Sequence, residues 1–188
     1  MTRNIRRCPW VNLKNDLYVS YHDDEWGRPV HADNLHFEML TLEGAQAGLS
    51  WEIVLKKRDH YRKVFKNFDP ETVACYTARH VEELMHDPGI VRNRLKIEST
   101  ITNAMAFLAV RKEFGTFDRY IWNFIGNKPV KTRFRNADDY PVSSVISDII
   151  SRDLKKRGFK FVGSTIIYAY MQAIGMTQDH VLTCSFRK

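Results

Sequence analysis

Cysteine is scarce in this chain, long apolar runs are missing, and no repeat or low-complexity tract interrupts its 188 residues. The three cysteines, Cys8, Cys75 and Cys184, are too few and odd in number for a disulfide scaffold. No uncharged apolar stretch approaches the ~20 residues needed to cross a bilayer, and the leader MTRNIRRCPW has none of the apolar core of a signal peptide. These absences predict a cytoplasmic protein that does not enter a membrane. Acid is the scarcer charge, with 22 Asp and Glu against 29 Lys and Arg, a net charge of +7. That surplus favours a polyanionic partner, nucleic acid ahead of an anionic membrane surface. What the chain does hold is apolar material: 44% hydrophobic and 12% aromatic residues exclude a disordered polymer. The length predicts one domain, or two small lobes sharing a core, burying roughly 70% of the unfolded surface.

Alternating strand patterns of useful length are also absent, and helical periodicity dominates. Leu35, Met39 and Leu42 recur at i, i+4 and i+7. Ser50 is placed to cap a helix that buries Trp51, Val54 and Leu55, and Asp69-Pro70-Glu71 reads as a compact helix start. Thr77 opens another helix with Val81, Leu84 and Met85 inward. A long amphipathic stretch follows from Asn93 to Glu113, with Ile97, Ile101, Met105 and Leu108 on one face and Gly115 at its end. Beyond a short aromatic segment, Phe117 to Phe124, the polar stretch from Gly126 to Pro141 is a candidate mobile loop, lobe boundary or ordered excursion. Two more helices are expected, Ser144 to Arg157 before Gly158, and Ser164 to Ala173 before Gly175. Seven or eight helices with short connections read as an all-α fold.

Three constellations carry chemistry. Cys8 and His22 lie near one end of the chain, and His180 and Cys184, four apart, near the other. Together they form a Cys2His2 set suited to tetrahedral zinc in a closed structural site. By spacing alone Cys8 reads as part of a disordered leader and His180 and Cys184 as part of a frayed tail rather than as a metal site, and the remaining histidines, His31, His36, His60, His80 and His86, read as surface or helix-face residues. Cys75 reads as a small core residue. The second constellation is Glu43-Gly44-Ala45-Gln46-Ala47-Gly48-Leu49-Ser50-Trp51. A carboxylate ending an apolar helix, small residues and a stacking tryptophan can build a pocket floor, or an ordinary corner with a solvated acid. Trp10, Tyr18, Tyr21 and Trp26 are either core or a second wall of that pocket. The third is Lys155-Lys156-Arg157-Gly158-Phe159-Lys160-Phe161-Val162-Gly163-Ser164-Thr165, which has the form of a helix-hairpin-helix. Backbone N–H groups from Gly163 onward would hold a phosphate at a helix terminus, with Lys155, Lys156, Arg157 and Lys160 adding charge. A plain basic helix end followed by a glycine turn is the alternative. Asp87 to Arg94 is a weaker hairpin candidate.

Taken together, CPW at 8–10, YVSYHDDEWG at 18–27, FEMLTLEGAQAGLSW at 37–51, VLKKR at 54–58, DPGIVRNRLKI at 87–97, LKKRGFKFVG at 154–163 and DHVLTC at 179–184 resemble the 3-methyladenine DNA glycosylase I family, of the helix-hairpin-helix glycosylase superfamily. The resemblance implies a two-lobed all-α fold over residues 1–188, forming a single catalytic unit with its termini joined by one structural Zn2+ on Cys8, His22, His180 and Cys184. The Cys8 to His22 gap is one residue longer than the family pattern. The resemblance further implies that Glu43 recognises the Hoogsteen side of 3-methyladenine, that Trp51 stacks on it, that Tyr21 adds a contact with Trp26 in the same wall, and that Leu49 wedges into the duplex. Lys160, Gly163 and Ser164 are the expected DNA contacts, on double-stranded alkylated DNA, for a monomer. Ala45 departs from the polar residue expected there. Related glycosylases use an aspartate that this family lacks; Asp179, beside His180, reads as structural. No lysine in these blocks reads as a Schiff-base nucleophile, so base excision without strand cleavage is expected. The competing class is a non-catalytic DNA-binding module with the same hairpin and zinc.

Overall fold

The computed structural model describes residues 5–188; residues 1–4, the start of the leader weighed above, lie outside it. The described chain is dominated by nine α-helices: α1 Asp16–Ser20, α2 Asp33–Gln46, α3 Trp51–Val64, α4 Pro70–Ala74, α5 Ala78–Met85, α6 Arg94–Phe114, α7 Phe117–Asn123, α8 Val145–Lys156 and α9 Ser164–Ala173. Two short strands, β1 Val130–Lys131 and β2 Thr177–Gln178, pair in parallel. No described helix is long and apolar enough to cross a membrane.

The helix starts follow side-chain chemistry. Asn15, Asp69, Asn93, Thr116 and Ser144 each accept a backbone N–H of the first turn, satisfying donors that have no partner inside the helix. Ser50 stands at the predicted cap position of α3 but makes no side-chain cap bond. Helix α2 is the axis of the fold. It packs on α3, α6, α7 and α9, and from His36 to Ala45 every residue is buried. Phe37 meets Phe68 and Phe107, and Phe107 stacks on Phe117 with ring centroids 4.1 Å apart.

Several sequence expectations need correction. Met105 is 54% exposed. At 3.6 residues per turn the buried face of α6 centres on Thr100, Ala104 and Phe107, and Met105 falls to the outer side of that arc. Cys75 is exposed because α4 ends one residue before it. His36 is fully buried inside α2, paired with the Tyr170 hydroxyl at 2.9 Å and the Asp118 carboxylate at 3.0 Å. The 117–124 aromatic segment is helix α7. The segment before Trp26 folds as α1 and one π-helical turn, Tyr21–Glu25. The 126–141 stretch is an ordered excursion: β1 pairs with β2, and Thr132 hydrogen-bonds the Gln178 carbonyl at 2.8 Å.

Candidate active site and metal centre

The π-turn, the end of α2, the start of α3 and one face of α9 enclose a cavity of about 290 Å³, with Tyr140 and Pro141 of the excursion at its edge. Its walls are aromatic. Tyr21 and Trp51 lie with ring centroids 5.2 Å apart, Trp10 sits edge-on to Trp26 at 4.9 Å and to Tyr18 at 5.5 Å. Into this apolar box α2 projects Glu43. Its side chain is 5% exposed and makes no hydrogen bond or ion pair among the described residues. Burial raises its carboxyl pKa to about 8. Tyr21, fully buried beside it, is held well above the usual phenol range, first by burial and then by the Glu43 charge. The Trp51 indole N–H and the Tyr140 hydroxyl are buried without partners as well. An unanswered carboxyl in an aromatic-walled cavity is the signature of a site that a ligand completes.

Just beyond Glu43 the chain turns outward. Gly48 sits at φ +77°, and Leu49 stands 38% exposed at the tip of the turn. The turn is anchored from beneath: the Lys96 ammonium donates to the carbonyls of Ala45 at 2.7 Å and Ala47 at 2.6 Å, placing a cation at the negative end of α2. Burial lowers the Lys96 pKa. A groove lined by Glu43, Gly48, Leu49, Thr165 and Ala169 runs from this tip to the start of α9.

The hairpin joining α8 to α9 flanks that groove. Gly158 at φ +92° and Phe161 at φ +52° turn the chain. Asn103 of α6 clamps the Lys160 backbone, accepting its N–H at 2.7 Å and donating to its carbonyl at 3.0 Å. Ser151 donates to the Val162 carbonyl at 2.6 Å. Gly44 eases the close approach, because a Cβ there would meet the Phe161 Cβ at 3.2 Å and one of the two would have to give by a few tenths of an ångström. Gly163 caps α9 without a side chain, and the first intrahelical bond is Ile167 N–H to the Gly163 carbonyl, so the N–H groups of Ser164, Thr165 and Ile166 face outward unbonded. Lys155, Lys156 and Lys160 are exposed nearby. Arg157, expected among these cations, turns away to Glu113 and Asp153, both at 2.7 Å. The 87–94 segment is a plain turn, with Asp87 accepting the Gly89 N–H at 2.7 Å and pairing with His60.

Behind the aromatic wall the chain ends meet. Cys8, His22, His180 and Cys184 are all buried, with ligand atoms within 4.8 Å of one another. His180 Nδ1 lies 3.4 Å from Cys8 Sγ and 3.3 Å from Cys184 Sγ, and His22 Nε2 lies 3.6 Å from Cys184 Sγ. Metal–sulfur and metal–nitrogen bonds of about 2.3 and 2.0–2.1 Å set a tetrahedral edge of about 3.6 Å, so the spacing fits a metal. The tautomers fit too. His22 Nδ1 bonds Asp23 at 2.7 Å, itself held by Arg7, and His180 Nε2 donates to the Trp26 carbonyl at 3.1 Å, which turns the other nitrogen of each ring toward the cluster, where His22 Nε2 also accepts a long 3.4 Å contact from the Cys8 N–H. Burial pushes the Cys8 thiol up to about 12 and His180 down to about 4. This group can bind a metal.

Every sequence-selected residue is thus placed. Glu43, Tyr21, Trp51 and Trp26 share one cavity, the four Cys and His residues share one cluster, and Leu49, Lys160, Gly163 and Ser164 lie on the two turns that flank the groove. Sequence reasoning missed Tyr140 and Gln172 in the cavity lining and Lys96 beneath the turn. Gln172 shares a helix face with Ala169, a signal readable only once the pocket is known; Tyr140 and Lys96 arrive from distant segments with no local signal.

A family model for methyladenine glycosylases matches residues 10–188. DNA-3-methyladenine glycosylase 1 of Escherichia coli (strain K12) is 47% identical over 180 residues, 96% of each chain. A crystal structure of 3-methyladenine DNA glycosylase I superposes with a TM-score of 0.95 at 45% identity, covering 97% of this chain and 100% of that one. The enzyme from Staphylococcus aureus, solved for the structural basis of its 3-methyladenine recognition, superposes with a TM-score of 0.91 at 34% identity, covering 93% of each chain.

Proposed function

The chain belongs to the methyladenine glycosylase family, and from that premise we propose that it is a DNA repair glycosylase that hydrolyses the N-glycosidic bond of 3-methyladenine in alkylated DNA. The observation that carries the reading to the site is the unpartnered, buried carboxyl of Glu43 inside the aromatic cavity. Methylation at N3 makes the adenine cationic and weakens its bond to the sugar, so the base departs neutral without prior protonation. Little chemical push is required of the protein. Trp51 and Tyr21 offer faces to a flat cation, Trp26 closes the wall, and Glu43 meets the N6/N7 edge, its charge favoured by the positive base. An unmethylated adenine gains none of this and is a poor leaving group.

Reaching the base requires extrusion from the duplex, at a cost of a few kcal/mol. Leu49, exposed at its turn, fills the gap in the stack. The hairpin before α9 acts as a helix-hairpin-helix: the free N–H groups at Ser164 and beyond, after Gly163, take a phosphate, with Lys160 adding charge. Residues 1–188 work as one catalytic unit, its helical lobes sharing the cleft, on double-stranded DNA, as a cytoplasmic monomer. Cys8, His22, His180 and Cys184 hold one zinc ion as a structural clasp on the two ends of the chain. Excision proceeds without strand cleavage.

The test is incubation with methylated duplex DNA and chromatography of the released bases. Free 3-methyladenine is expected from the wild type and a strongly reduced yield from Glu43→Gln. A metal-replete sample that releases no 3-methyladenine overturns the reading, in favour of a non-catalytic DNA-binding module.

A further inference from the structure

Asp179 is fully buried and surrounded by three donors: the Tyr168 hydroxyl at 2.6 Å, the Gln172 amide nitrogen at 2.8 Å and the Thr177 hydroxyl at 2.5 Å. A carboxylate only accepts hydrogen bonds, so the Gln172 contact has one possible polarity. Nε2 faces Asp179 and Oε1 faces away. That oxygen accepts no hydrogen bond among the described residues, and it is not among the side-chain atoms sealed in the interior without a partner. Gln172 lines the aromatic cavity, so its amide oxygen opens there.

Helix α9 sets its depth. Thr165, Ala169 and Gln172 recur at i, i+4 and i+7 on one face. Thr165 borders the outer groove beside Leu49, Ala169 borders both groove and cavity, and Gln172 borders the cavity alone. Seven residues at 1.5 Å each put Gln172 about 10 Å along the helix from Thr165. It therefore lies where an extruded base, rather than the DNA backbone, would sit.

We propose that Gln172 is a specificity-determining residue, whose amide oxygen accepts a hydrogen bond from an amino group at C6 of the extruded purine and rejects a purine with a carbonyl at C6. The inference rests on the base-pocket reading and adds which purine the pocket prefers. A glutamine free to rotate would serve either base, presenting oxygen to an amino group or NH2 to a carbonyl. Asp179 removes that freedom. A 6-oxo purine then brings acceptor against acceptor, and both lose a partner. Glu43 cannot make this distinction alone, since it accepts as a carboxylate and donates as an acid. Asp179 is the positioning residue.

Duplex DNA treated with a methylating agent carries both 3-methyladenine and 3-methylguanine, and the release of each is timed for wild type, Gln172→Leu and Tyr168→Phe. Wild type is expected to release 3-methyladenine at least about tenfold faster, and Gln172→Leu to lower that ratio by about tenfold, chiefly by slowing 3-methyladenine. Tyr168→Phe removes a different donor from Asp179 and leaves the Gln172 bond in place, and is expected to keep the wild-type ratio whatever its rate. A Gln172→Leu ratio within about twofold of wild type overturns the proposal, as does a wild-type ratio near one or a Tyr168→Phe ratio that collapses equally. Wild type that releases neither base rejects the base-pocket reading, and the inference with it.

Discussion

Glu38 and Glu43 sit five residues apart on the same helix, both almost wholly buried, at 3% and 5% exposure, yet their surroundings are opposite. Glu38 accepts from Arg58 at 2.5 Å and from Arg62 at 3.0 Å, and Arg58 continues to Glu25 at 2.7 Å. Glu43 has no partner among the described residues. The same division runs through the interior. On the structural side, His36 is paired, Asp179 takes three donors, and each cluster histidine has a bond for its second nitrogen. On the cavity side, Glu43 is left unanswered; four further polar atoms, of Thr41, Trp51, Tyr140 and Gln178, are sealed in the interior without a partner. Burying a carboxyl without a partner costs stability, so a fold that keeps one inside a cavity is holding it for something else. Glu38 is buried to stabilise the helix; Glu43 is buried where a ligand can reach it.

The largest effect is expected where burial is most completely partnered. Cys184→Ala removes a ligand from the proposed clasp and unties a loop of nearly the whole chain, so we expect a loss of 5 kcal/mol or more, roughly 10–20 °C in Tm. Elemental analysis should find about one zinc per wild-type chain and little in the variant; equal Tm values with no metal in either would remove the clasp. Glu38→Gln comes next. It leaves Arg58, 6% exposed at its side chain, short of a counter-charge, and should destabilise by about 3–5 kcal/mol while leaving excision intact at temperatures well below the new midpoint.

Glu43→Gln should do the reverse on both readouts. Burial raises this carboxyl to about 8, above its unfolded value near 4.5, so between those values the folded chain holds a proton that the unfolded chain has released. Stability contributed by the neutral acid is complete below about pH 4.5 and is lost as pH rises toward 8. We expect wild type to lose roughly 2–3 kcal/mol more than Glu43→Gln between pH 5 and 8, measured as urea midpoints. The variant thus becomes the more stable protein at alkaline pH while excision falls about a hundredfold. Parallel pH profiles for the two proteins would place Glu43 among the structural carboxylates and erase the contrast with Glu38.

Most of the fold was legible because the signals are local. Asp69-Pro70 starts a helix, Asn93 caps one, and Gly115, Gly158 and Gly175 end them at φ +89°, +92° and +70°. What local patterns could not show was pairing across the chain. His36 read as a surface residue because its partners, Tyr170 and Asp118, are 134 and 82 positions away. Cys75 read as core because the pattern outran a five-residue helix. For the candidate site, spacing alone favoured a solvated Glu43 and a leader and tail for the four Cys and His residues, and family resemblance rather than physics selected them. Gln172, Tyr140 and Lys96 escaped both, since each matters through a neighbour that only the folded chain supplies.

Lys96 gives the smallest effect, and it bears on the boundary between the two regions. Its ammonium is a structural partner, answering the Ala45 and Ala47 carbonyls, but the segment it holds ends in Leu49, which belongs to the site. Replacing it by Met keeps the length of the stem and removes both bonds. The carbonyls lie at a helix end close to the surface, where water takes over part of their solvation, so the expected loss is about 1 kcal/mol. A residue that served stability alone would then have no further effect. If the turn must instead be rigid for Leu49 to occupy the space of an extruded base, excision from paired duplex DNA should fall about tenfold while the affinity for free 3-methyladenine stays at the wild-type value. Lys96→Arg retains a donor at the helix end and should recover most of the rate. Equal losses in duplex excision and free-base binding would show that the turn and the pocket yield together, and that partnered and unpartnered regions are not mechanically separate at this point of α2.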